Sequence, residues 1–141
     1  IESALSISQS TEFVSKKPEG IHSEISQGGT NISGGQRQRL SNARAIVRKP
    51  EIYIFDDSFS ALDFKTDAKL REALAASCKE TKSTVLLVAQ RISSILHADQ
   101  IIVLAQGKMV GKGTHAELME SCDVYQQIAS SQLTKEELAN V

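Results

Sequence analysis

Two segments, IYIF at 52–55 and TVLLVA at 84–89, are apolar on consecutive residues rather than on alternate ones. A strand that is apolar on both faces asks for cover on both sides, which is the situation of a parallel sheet flanked by helices. Parallel neighbours need a long crossover, and the sequence between these segments supplies one. FKTDAKLREALAASCKE at 64–80 puts Leu70, Leu74 and Ser77 on one side of a helix, with Asp63 as its expected N-cap. Further on, RISSILHA at 91–98 reads as a short helix and QIIVLAQGKMVGKG at 100–113 as two strands about a turn at Gln106 and Gly107. Thr114 with Glu117, Asp123 with Gln126 and Thr134 with Glu137 have the spacing of capping boxes, the last in a polar tail. The alternation predicts an α/β fold with a largely parallel sheet.

Upstream of the first strand the pattern changes. Residues 1–17 are helical in pattern with few apolar contacts (Ala4, Leu5, Phe13, Val14), and Pro18 with Gly20 ends them. EISQGGTNISGG at 24–35 brings four glycines into a short span, so the backbone must turn sharply or approach something closely. QRQRLSNARAIVRK at 36–49 then reads as a helix with Leu40, Ala43 and Val47 on one stripe and Arg37, Arg44 and Arg48 on other faces, stopping before Pro50.

Composition excludes several classes. The 16 basic and 17 acidic residues leave a formal charge of −1, so no global basic field draws the chain to nucleic acid. No apolar run approaches the roughly 18 to 20 residues that cross a bilayer. Cys78 and Cys122 both fall in helical patterns and read as reduced thiols, and His22, His97 and His115 lack metal-ligand spacing.

In open α/β sheets a ligand sits beyond the carboxyl ends of the strands, which is where Asp56, Asp57 and Gln90 fall. A carboxylate at a strand end is suited to Mg²⁺ beside nucleotide phosphates, although a strand ending in two acids is also a common solvated turn. Twenty or so residues earlier, Ser33 can cap the following helix while Gly34 and Gly35 admit a close approach to its free N–H groups. That makes a phosphate site, or an ordinary capped helix after a loop.

Order and spacing decide between these readings. The chain closely resembles the nucleotide-binding domain of ABC transporters, the exporter type in particular. ISGGQRQRL resembles the signature, IYIFDD the Walker B strand with its adjoining acid, SALD the D-loop, and LLVAQR the switch strand. ISQGGTN corresponds to the loop that meets the transmembrane domain in exporters. The resemblance implies a partial P-loop NTPase core with ATP and Mg²⁺ as its ligands. Residues 1–50 would then belong to the helical subdomain, 51–131 to the core and 132–141 to a polar C-terminal tail. Asp56 falls at the Mg²⁺-associated acid, and Ser33, Gly34, Gly35, Gln36 and Asp63 fall at nucleotide-contacting motif positions.

Two positions depart from the family pattern. Asp57 stands where the family has the catalytic Glu, and Gln90 where it has the switch His. Asp is one methylene short for a base that must sit within about 2.6 to 3.2 Å of its proton, and Gln cannot become cationic. Both point to a degenerate ATP site. The signature departs only in Ile32 for Leu, so it can still complete the site of a second nucleotide-binding domain. The implied assembly is a heterodimeric exporter at the cytoplasmic face of the cell membrane, with a transmembrane domain as further partner. A slow homodimeric ATPase is the alternative. A phosphate- or nucleic-acid-binding module using Arg37, Arg39, Arg44 and Arg48 is another, disfavoured because no aromatic accompanies those arginines. Nothing in the chain matches the GxxxxGK[ST] phosphate loop, which the resemblance places upstream of Ile1. Its strand would lie between 84–89 and 101–104, leaving apolar edges open in the chain by itself, which is expected to bind Mg·ATP poorly and to self-associate.

Overall fold

The computed structural model describes residues 1–133, so the expected cap at Thr134 and Glu137 and most of the polar tail lie outside the described residues. The chain divides into two compact units, Ile1–Val88 and Ala89–Val141.

In the first unit the helical pattern of 1–17 becomes two short helices, α1 (Glu2–Ile7) and α2 (Thr11–Ser15). The break is at Gln9, whose φ is 56°. Serines at 8 and 10 compete with the helical ladder there, and the buried Ser8 hydroxyl donates to Ser10 Oγ at 2.8 Å. Arg39 closes the junction by donating from Nη1 to the Gln9 carbonyl at 2.6 Å, with its guanidinium 4.9 Å from the Phe13 ring centre. The aromatic that sequence proximity did not show beside the arginines is therefore present, supplied from another helix.

Helix α3 (Gly34–Ile46) starts at a Ser33 capping box and buries Asn42, Ala43 and Ile46, whereas Val47, expected on the inner stripe, is its exposed C-cap residue. Strand β1 (Ile52–Asp56) pairs in parallel with β2 (Thr84–Val88), Asp56 standing opposite Val88. Between them α4 (Phe64–Thr81) is the expected crossover, capped by Asp63 and ended by Lys82 in the left-handed conformation. Its inner face is Leu70, Leu74 and Cys78, with Cys78 taking the place expected of Ser77. Tyr53 and Phe55 stack at 5.8 Å on the core side of β1, and Phe59 leans on Phe55 at 5.3 Å.

Burial on both faces of the strands is not what the structure shows. β1 alternates, with Tyr53 and Phe55 buried but Ile52 and Ile54 exposed, and Val85, Leu86 and Val88 of β2 are exposed as well. Among the described residues helices cover one face of this pair and β2 pairs only with β1. The consecutive apolar pattern records a demand for cover that the described residues do not meet.

Asp67 is the unexpected member of α4, an acid 2% exposed whose Oδ1 and Oδ2 accept from Arg71 Nε at 2.9 Å and Nη2 at 3.0 Å. Breaking a buried pair by removing one partner leaves an uncompensated charge. Arg71→Met is expected to cost about 3 kcal/mol, the low end of that range because Arg71 keeps some solvent. Urea unfolding should show it, and Asp67→Leu added to Arg71→Met should recover most of the loss.

In the second unit β3 (Ile101–Ala105) and β4 (Lys108–Gly113) form the expected antiparallel hairpin, with φ of 50° at Gln106 and 74° at Gly107 giving a turn that matches strand twist. Helices α5 (His115–Ser121) and α6 (Asp123–Gln132) pack on it around Ile101, Val103, Leu118 and Tyr125. Gly111 permits the approach of α5 and the residue after it, since a Cβ there would lie 3.0 Å from Leu118 Cδ2 and 2.8 Å from Cys122 Sγ. The Thr114–Glu117 capping box forms as expected. The one expected at Asp123 and Gln126 does not: Cys122 is the N-cap of α6 and Asp123 is already helical. With only Cys122 between the two helices there is no extended residue for Asp123 to occupy, and its carboxylate instead favours the first turn through the helix dipole.

His115 is buried at the start of α5, with Nδ1 and the Tyr125 hydroxyl sharing a hydrogen bond of 2.8 Å. Burial, and secondarily the charge of His97, lowers its pKa below the ordinary histidine value. Below about pH 6.5 the unfolded state therefore binds more protons than the folded one, and stability falls as pH falls toward the depressed value. Melting temperature is expected to decline from pH 7.5 to 5.5, and His115→Gln, which takes up no proton, should remove that part of the decline.

Candidate functional site

The end of β1 and the start of α3 lie in one unit and are tied together by side-chain amides. Asp56 is the last residue of β1, and its carboxylate is exposed. Asp57 follows with φ of 48°, a left-handed conformation that Asp tolerates better than longer side chains. It is held there from both sides. Its N–H donates to the Val88 carbonyl at 3.3 Å, and its carbonyl accepts from Gln38 Nε2 at 2.9 Å and Ser60 Oγ at 3.1 Å.

The N-terminus of α3 is built by a reciprocal cap. Ser33 Oγ accepts from the Gln36 N–H at 3.2 Å, and Gln36 Oε1 accepts from the Ser33 N–H at 3.0 Å. The hydroxyl proton of Ser33 stays free to donate outward, beside the Gly34 and Gly35 amides that have no partner within the helix. A Cβ built on Gly34 meets nothing within 4 Å, so an anion can come close to the backbone there. Gly35 is different. A Cβ on it would lie 3.1 Å from the Ala61 carbonyl, so its small size serves the packing of α3 on the 57–61 loop.

Asp63 ends this loop as the α4 cap, with Oδ1 accepting from the Thr66 N–H at 3.0 Å. Hydrogen bonds from Thr66, side chain and then backbone, hold its carboxyl below the usual range. Gln90 lies two residues past β2 in the second unit, its side chain exposed and its carbonyl accepting from Gln132 Nε2 at 2.9 Å. Gln132 Oε1 also accepts from the Ile92 N–H at 2.9 Å, so α6 fixes the 90–92 segment.

Among the described residues no three His, Cys, Asp or Glu side chains gather as a metal site. The donor at Asp56 is a hard carboxylate at a strand end, which fits Mg²⁺ held by one carboxylate, water and phosphate oxygens rather than by a protein cage.

Three residues here had not been singled out from the sequence. Gln38 and Asn42, one turn apart on α3, both reach the 57–61 loop, the buried Asn42 donating to the Ser58 carbonyl at 3.1 Å. Their i, i+4 spacing is a signal that could have been read. Gln132 left none, because its partners are some forty residues away.

A family profile described as ABC transporter matches residues 7–60. An uncharacterised ABC transporter ATP-binding protein of Mycobacterium bovis is 47% identical over 92% of the chain, which covers 22% of that relative. One from Bacillus subtilis is 43% identical over 96% of the chain and 23% of the relative. An ABC multidrug transporter of Trichophyton tonsurans is 42% identical over 89% of the chain and 9% of its own length. The chain thus spans about a fifth of the bacterial relatives it matches. Among solved structures, a bacterial Atm1-family ABC exporter with ATP bound superposes with a TM-score of 0.88 at 30% identity, over 95% of this chain and 23% of that one.

Proposed function

The chain belongs to the ABC transporter family as part of an exporter-type ATP-binding domain, and from that premise we propose that it serves an asymmetric exporter in which its own nucleotide site is degenerate. Domains of this family use ATP with Mg²⁺ and work with a transmembrane domain from the cytoplasmic side. No described helix is long and apolar enough to cross a membrane. In the proposed assembly residues 1–50 contribute to the helical subdomain, 51–131 to the core and 132–141 form a tail. The whole protein binds ATP and couples its binding and hydrolysis to transport.

The observation that carries the partner half of this asymmetry is the open N-terminus of α3. Ser33 offers a hydroxyl proton and Gly34 and Gly35 offer backbone amides at the positive end of a 13-residue helix, a set suited to the phosphates of a nucleotide held by a second ATP-binding domain. Gln36 holds this geometry through the cap. Asp56 would hold Mg²⁺, which when bound offsets charge on the transferring phosphoryl group. Asp57 accepts a proton from water poorly, because its carboxylate is short and its backbone is pinned. Gln90 can donate a hydrogen bond to a phosphate oxygen but carries no charge. Asp63 orders the loop that α3 grips.

Two findings disfavour a basic nucleic-acid surface. Arg37 Nη1 donates to the Gly28 carbonyl at 3.0 Å, and Arg39 is engaged with Gln9 and Phe13. Both are engaged within the fold, leaving a thinner field for a polyanion.

Photoaffinity labelling of the full-length protein with an azido-ATP, resolved by site, tests the proposal. Nucleotide at the P-loop of this subunit should persist as triphosphate while the second site turns over. Equal hydrolysis at both sites would favour the slow homodimer instead.

A further inference from the structure

The amide of Gln38 is used at both ends, and both partners lie in the loop that follows β1. Nε2 donates to the Asp57 carbonyl at 2.9 Å and Oε1 accepts from the Ala61 N–H at 2.9 Å. Asn42 adds a bond to Ser58 one turn later, and the Gly35 backbone lies against Ala61. The loop is therefore fastened to α3 along two turns of the helix. We infer that Gln38 is a positioning residue that makes α3 and the 57–61 loop move as one body, so that occupation of the α3 N-terminus by nucleotide is felt at the backbone of Asp57.

The inference rests on the proposed reading of α3 as a nucleotide-contacting helix and goes beyond it in naming the connection. Gly34 and Gly35 open α3, Gln38 lies one turn along, and helices transmit displacement as rigid units. Asp57 is responsive because its left-handed backbone is held by external bonds, from Val88 on one side and Gln38 and Ser60 on the other. Removing the Gln38 donor loosens one side of that grip without touching Ser33, Gly34 or Asp56. Coupling of this kind requires an element whose arrangement both ends bias, and the doubly bonded amide supplies the contact.

Hydrogen exchange on the full-length exporter, with both ATP-binding domains present, with and without Mg·ATP, tests it. In the wild type the segments 33–40 and 57–62 should gain protection together. Gln38→Met keeps length and volume but makes neither bond. In that variant 33–40 should still respond to ATP, whereas 57–62 should exchange roughly fivefold faster without nucleotide, about what one ordinary hydrogen bond is worth, and lose its response. Gln38→Glu keeps the acceptor for Ala61 but turns a carboxylate oxygen toward the Asp57 carbonyl, so 57–62 should exchange faster at rest and lose its ATP response. An unaltered 57–62 response in both variants would overturn the inference. Absence of any ATP response at 33–40 in the wild type would instead overturn the reading of α3 itself.

Discussion

Asp57→Glu combined with Gln90→His in the full-length protein is expected to raise ATP turnover, by on the order of 10² to 10⁴ at this subunit's own site. In the proposed site the longer carboxylate would reach the attacking water, and the imidazole would supply a group that can carry charge. The structure tempers the first half. Residue 57 has φ of 48°, where Glu pays a strain of roughly 1 kcal/mol that Asp partly avoids, so Asp57→Glu alone should fall short of the double variant. Single-turnover hydrolysis with the second site inactivated is the measurement. A double variant that turns over no faster than wild type would end the account of Asp57 and Gln90 as the cause of a slow site.

Gly34→Asp should act in the opposite direction and on the other subunit. Nothing lies within 4 Å of a Cβ at Gly34, so the substitution leaves the packing of this chain alone and places bulk and negative charge where the proposed site would bring a phosphate. Hydrolysis at the second site is expected to fall about 10²-fold, comparable to losing one preorganised donor to a reacting oxyanion. Ser33→Arg should also lower hydrolysis at the second site, but it removes the α3 cap as well. Gly35→Asp is a less clean probe, because its Cβ would press on the Ala61 carbonyl at 3.1 Å and disturb this chain's own loop as well. If site-resolved trapping finds Gly34→Asp silent at the second site and damaging at this subunit's own, the signature does not serve a partner.

The α/β alternation, the crossover helix with its Asp63 cap, the capped start of α3, the hairpin turn at Gln106 and Gly107 and the family itself were legible from local residues alone. Each depends on interactions spanning a few positions: a hydroxyl three residues from an amide, a turn that needs positive φ, an apolar run bounded by polar residues. Which acids and amides do structural work was decided by tertiary packing. Asp67 looks like an ordinary first-turn acid until the core closes over it and Arg71, and Asp123 has cap spacing until α5 ends two residues before it and leaves Cys122 as the cap. The apolar faces of β1 and β2 announced burial, but cover depends on what the rest of a protein places there, which no periodicity encodes. The left-handed backbone of Asp57 likewise belongs to the fold. It is held by Val88, Gln38 and Ser60, and a bond from a residue nineteen positions away is set by how a helix docks, not by the residues beside it.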